Sequence, residues 1–225
     1  MVAHDDRIVF PGNPWPDGHA IVEFSWGGRL DPDVGLRFAF ELTSAFYDAD
    51  DGDGVEEEDE DEERSDFESK FAWNNYHQCR ISSGMGFVAG TPDEPLDFDA
   101  LTGRTFVVDR PEEVDEFEDE DFAFHIYLLG HDSVADHRIR FPVRHAPLEF
   151  GLEWEGRIAL TYFGEEEYEY RFQARLARTA FTGFEVLDEL ADEEAHRLLA
   201  ACVRDPARFR LSHDGGERRY VPIGR

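Results

Sequence analysis

Lysine is almost absent from this chain. Lys70 stands alone beside twenty-one arginines, against 52 aspartates and glutamates, for a formal net charge of -30 over 225 residues. So few bases leave no patch able to neutralise phosphates, which argues against direct nucleic-acid binding. Cysteine is equally scarce. Cys79 and Cys202 are too few for a disulfide framework and too far apart for a Cys-x-x-Cys site, so they read as buried free thiols. No apolar run approaches the roughly 18 residues of a membrane span. The opening MVAHDDRIVF has an early Asp pair and no apolar centre, so no secretory leader is read and a cytoplasmic location is expected. Gly-x-Ser-x-Gly, a P-loop and His-Glu-x-x-His are also missing, which removes the enzyme classes that carry those local signatures.

What the chain does have is acid in two blocks. Residues 48–68 hold fourteen carboxylates against Arg64, a net of −13, and residues 112–121 hold eight carboxylates and no base. The remainder carries only −9. Charge this concentrated repels itself in a compact state and calls for solvent, counterions or a basic partner. Yet twenty Phe, seven Tyr and four Trp are too many aromatics for a disordered acidic protein. The combination predicts one folded domain over 1–225 with two solvated acidic insertions between strands.

Period-two alternation predicts that domain to be mainly β. Leu36, Phe38, Phe40 and Leu42 alternate with Arg37 and Glu41, and Tyr170, Phe172, Ala174 and Leu176 alternate with Arg171, Gln173 and Arg175. Further runs lie at 122–128, 148–154 and 158–162. Turn chemistry is read at Trp15-Pro16-Asp17-Gly18, Trp26-Gly27-Gly28, Glu155-Gly156, Gly164-Glu165 and Asp214-Gly215-Gly216. These place strands at 147–154, 157–163 and 166–178 in a meander. Pro142 marks the strand before it as an edge. Ala195, Leu198, Leu199, Cys202 and Val203 form one apolar stripe after Asp192, the expected cap, and predict a helix closed before Asp205-Pro206. The expected fold is an antiparallel β-sandwich or distorted barrel of ten to twelve strands, with one C-terminal helix packed on it and a short terminal hairpin.

Four candidate chemistries follow. The acidic blocks suit a basic partner, through Asp50, Asp51, Asp53, Glu56, Glu57, Glu58, Asp59, Glu60, Asp61, Glu62 and Glu63 in the first block. Glu116, Glu118, Asp119, Glu120 and Asp121 do the same in the second. Asp51, Asp53 and Glu60 sit at calcium-loop positions, but Ala49 occupies the first position and Glu56 the apolar eighth, which leaves non-selective divalent-cation binding and no EF-hand. Read as a strand, Trp73, Asn75, His77 and Cys79 share one face, a site for a hydrolase or metal enzyme with a histidine from His125, His131, His137 or His145. His137 and His145 have the parity of inward Ile139. Arg138, Arg140 and Arg144 form the nearest approach to a basic patch. The leading expectation is a non-enzymatic binding protein of inhibitor or immunity type with no cofactor. The alternatives are the enzyme centred on Asn75, His77 and Cys79, and a calcium- or carbohydrate-binding sandwich.

Overall fold

The computed structural model describes residues 6–49, 65–114, 118 and 121–224. The strands are β1 (Arg7–Val9), β2 (His19–Asp31), β3 (Gly35–Ser44), β4 (Arg80–Ser83), β5 (Phe87–Gly90), β6 (Thr105–Val108) and β7 (Phe124–Tyr127). They continue as β8 (His131–Arg140), β9 (Arg144–Ala146), β10 (Glu149–Ala159), β11 (Tyr170–Val186), β12 (Phe209–Ser212) and β13 (Arg219–Pro222). The helices are α1 (Lys70–Tyr76), α2 (Pro111–Val114) and α3 (Asp192–Cys202).

Eight strands close a barrel in the order β1-β2-β3-β4-β7-β8-β10-β11, and β11 returns to β1; every one of these pairings is antiparallel. The distorted-barrel form of the expectation is therefore the observed one. A barrel of eight strands leaves an interior that side chains can fill, and here aromatic rings fill it. Trp154 lies against Phe40, Phe124 and Phe172 at centroid distances of 5.4, 4.6 and 5.3 Å. Trp26 packs on Phe141 and Phe181. Such pairs each add about 0.5–1.5 kcal/mol beyond the area they bury.

Strand polarity gives the barrel two distinct ends. The α1 end carries the β1–β2, β3–β4, β7–β8 and β10–β11 connections. The α3 end carries the β2–β3 turn and everything after β11. There Phe98 plugs the opening against Trp26, Phe181 and Phe209. Ala195, Leu199 and Cys202 of α3 are buried on the apolar stripe expected of it, and β12 and β13 form the terminal hairpin.

Several local expectations fail for identifiable reasons. Gly27 and Gly28 lie inside β2, and Gly156 lies inside β10, so the strands expected at 147–154 and 157–163 are one. These glycines make room and do not turn the chain. A Cβ on Gly156 would meet Phe172 Cε1 at 2.4 Å and His137 Nδ1 at 2.7 Å, and one on Gly28 would meet Phe184 Cδ1 at 2.8 Å. Glycine inside a strand often marks such close approach. β8 is not an edge: it ends at Arg140, before Pro142, and pairs with β10 on one side and with β6 and β7 on the other. Residues 70–76 form a helix, not a strand. Ser69 caps it by accepting a hydrogen bond from Ala72 N–H, and Trp73 anchors it by donating Nε1–H to Phe67 O at 2.8 Å. Asp192 is the first residue of α3, and Ala191 holds the cap position.

Candidate functional site

The two acidic blocks leave the barrel from different places. Tyr47 and Ser65, on either side of residues 50–64, stand at the α1 end; Tyr47 N–H donates to His77 O at 2.7 Å, and its hydroxyl donates to Leu128 O at 3.2 Å. The second block springs from the barrel wall. Asp109 and Ala123, on either side of it, are joined by Ala123 N–H to Asp109 Oδ2 at 3.0 Å, and Asp136 N–H in the middle of β8 donates to Asp109 O at 2.7 Å. The carboxylates at 50, 51, 53, 56–63, 116, 119 and 120 lie outside the described residues, as do Asp51, Asp53 and Glu60 of the cation reading. Glu118 and Asp121 are described and exposed.

At the α1 end a buried aromatic cluster closes the barrel. Trp73, Trp15, Tyr47 and His19 pack ring on ring, with Trp73 4.8 Å from Tyr47 and 6.0 Å from Trp15. Phe67 stacks on Tyr170 at 4.2 Å, which pins the returning end of the first block to β11.

Outside this plug lies a second set of rings that is not covered. Phe71 is 79% exposed, Tyr162 60%, Phe46 56% and Phe163 37%. Tyr76 joins them, 6.0 Å from Tyr162, 6.4 Å from Phe163 and 6.3 Å from Tyr127. Three sequence segments build this face. One is α1. Another is the 3-10 turn Thr161–Phe163. The third is the β7–β8 turn, where Gly130 has φ +137° and a Cβ would sit 2.4 Å from Tyr162 Cγ. Asp132 fastens the last two together: Oδ1 accepts from Tyr162 N–H at 3.3 Å and Oδ2 from Leu129 N–H at 3.0 Å. Burial raises the pKa of that carboxyl, against the two backbone hydrogen bonds that lower it. Tyr76, Tyr162 and Phe163 meet ring to ring, whereas Phe46 meets His77 and Phe71 makes no ring contact among the described residues; exposed rings gathered in one patch mark interaction surfaces more often than scattered ones do.

The residues singled out as Asn75, His77 and Cys79 do not share a strand face. Asn75 is exposed on α1. His77 follows α1 with φ +69° and is exposed. Cys79 is fully buried, and burial pushes its thiol well above the usual range, the opposite of what an activated thiolate requires. Of the partner histidines, His125, His131 and His145 are exposed, so His145 does not face inward as its parity suggested; its Nε2 lies 2.8 Å from Ala177 O. Among the described residues, no group of three His, Cys, Asp or Glu side chains is placed to hold a metal ion. Arg140 and Arg144 are ion-paired, with Glu153 and Asp99 respectively.

His137 alone is inside, with no exposed surface. Trp154 Nε1–H donates to its Nδ1 at 3.2 Å. Indole nitrogen can only donate, so the neutral imidazole carries its proton on Nε2. That nitrogen faces Asp109 Oδ2 at 3.7 Å, beyond hydrogen-bond range, and has no other partner. Burial pulls the His137 pKa down to about 3 and pushes Asp109 up to about 6. Asp109 also sits at φ +51°, a left-handed conformation that Asp tolerates better than most residues. It lies at the head of a cleft of about 420 Å³ in the barrel wall. Sequence parity found His137; nothing in the sequence brought Asp109 to it.

No family model, curated protein or solved structure matches the chain.

Proposed function

We propose that the protein is a non-enzymatic binding protein whose α1 end holds a basic, arginine-bearing partner. The observation that carries this reading is the exposure of Phe46, Phe71, Tyr162 and Phe163, with half-buried Tyr76 between them and the core, at the end where the first acidic block leaves the barrel. Carboxylates attract cations from a distance and raise encounter rates, roughly 10–10³-fold in favourable cases. Aromatic faces then hold a guanidinium at short range, each contact adding about 0.5–2 kcal/mol. Neither feature alone selects a partner; together they favour arginine, which stacks on rings and pairs with carboxylates. An inhibitor or immunity-type role fits the same physics, because a basic active site or nucleic-acid surface can be covered this way.

The test is deletion of residues 50–64, which spares Phe67 and its stack on Tyr170. The shortened chain is expected to fold and to lose most of its affinity for an arginine-rich peptide at low salt. Full retention of affinity, unaffected by salt, would remove the electrostatic half of the reading.

A further inference from the structure

The barrel wall is split on one side. β4 and β5 lie end to end along the same edge of β3, at Glu41–Thr43 and Leu36–Phe38. β7 and β6 lie end to end along the same edge of β8, at His131–Asp132 and His137–Arg140. β4 pairs with β7 and closes the α1 half. β5 and β6 occupy the corresponding places in the α3 half, but among the described residues β5 pairs only with β3 and β6 only with β8. Their free edges face one another across the cleft of about 420 Å³, which Phe87, Val88, Phe106 and Val107 line. The rings of Phe87 and Phe106 meet beneath it at 5.2 Å.

We propose that this cleft accepts one extended peptide strand, which hydrogen-bonds to a free edge and sets a lysine or arginine side chain against Asp109. Three observations carry it. Free edges are normally blunted by shortness, a charge or a proline; β5 and β6 are four residues each, but Phe-Val-Ala-Gly and Thr-Phe-Val-Val carry neither charge nor proline to repel a guest. The outward side chains Val88 and Val107 are 41% and 42% exposed, an apolar flank for the added strand. The head of the cleft is acidic: Asp109, Glu113 and Asp121 line it, while Arg37 is already engaged by Asp31 at 2.8 Å and only Arg110 opposes them. Asp109 is 7% exposed, with Oδ2 accepting from Ala123 N–H, while Glu113 and Asp121 beside it are exposed, so an incoming cation meets those two first and Asp109 at the floor. β5 and β6 run antiparallel to each other, so the guest is antiparallel to one and parallel to the other; the antiparallel edge supplies the stronger ladder. This is the β-augmentation mode of peptide recognition, with main-chain bonds giving affinity and side-chain placement giving choice.

The site is separate from the aromatic face at the α1 end, and the test keeps them apart. A labelled Lys-Val-Thr-Val-Thr-Val-Lys peptide is titrated against the full chain, beside its backbone N-methylated form and its Lys→Glu form. The expected result is saturable binding below about 1 mM, weakened at least about tenfold by either modification and by Asp109→Asn. Amide exchange should slow on β5 or β6 alone, and deletion of 50–64 should leave the affinity unchanged. Absence of binding at about 1 mM, equal binding of the N-methylated peptide, or protection confined to the α1 end overturns the proposal.

Discussion

Replacing Asp109 by asparagine removes a buried negative charge and keeps the acceptor that Ala123 N–H requires. Asparagine also tolerates the positive φ of this position, so no backbone strain is added. Burial raises the Asp109 pKa from 3.8 to about 6, against the Ala123 hydrogen bond that lowers it; Glu113 adds a smaller upward push. At about 1.4 kcal/mol per pKa unit, ionising this carboxyl in the fold costs at most roughly 3 kcal/mol, and roughly 2 kcal/mol after screening by water in the cleft. The native state holds this proton more tightly than the unfolded chain. Its contribution is therefore fully present below about pH 4 and is lost as pH rises through about 6. His137 titrates in the opposite sense, since its folded pKa is depressed, but it is common to both proteins and cancels in their difference. Asp109→Asn is thus expected to be more stable than the parent by roughly 1 kcal/mol near pH 5 and roughly 2 kcal/mol at pH 7.5, level above that. Urea unfolding of both proteins across this range measures the difference. A variant no more stable at pH 7.5, or an advantage that does not change with pH, refutes the reasoning.

Gly156→Ala forces a methyl group between Phe172 and His137 and should cost about 1–3 kcal/mol in urea unfolding, the range for overpacking a dense core. Gly130→Ala combines a φ of +137° with a collision against Tyr162; about 2 kcal/mol of stability should be lost, and tyrosine fluorescence should report a displaced ring. Cys79 and Cys202 are both buried with raised thiol pKa values, so neither should react with a thiol reagent at pH 8 until denaturant is added.

The strands were legible because alternation survives where one face meets aromatic rings and the other meets water, as in β3 and β11. The choice of barrel over sandwich was not, because closure depends on β4 meeting β7 across 40 intervening positions of chain, at Arg80↔Tyr127 to Ser83↔Phe124. Glycine was read correctly as a turn residue at Gly18, Gly164 and Gly216 but misled at Gly28 and Gly156, which lie inside strands and serve the rings of Phe184 and Phe172. The segment around Asn75 misled because its polar alternation imitates a strand, whereas Ser69 and Trp73 make it a helix that plugs the barrel. The aromatic face was hidden for a different reason. Its rings come from α1 and the β10–β11 turn, braced by the β7–β8 turn, with Phe46 from the chain after β3, and no local pattern joins them.

The central claim is that rings and carboxylates act together at the α1 end. Its most direct measurement compares the affinities of an arginine-rich peptide and its lysine counterpart for the parent and for Tyr162→Ala/Phe163→Ala, with thermal melting as the check on folding. The parent should favour arginine by about tenfold, near 1.4 kcal/mol, and the double variant should bind both peptides equally while melting within a few degrees of the parent. An arginine preference that survives loss of both rings, or none in the parent, contradicts the account.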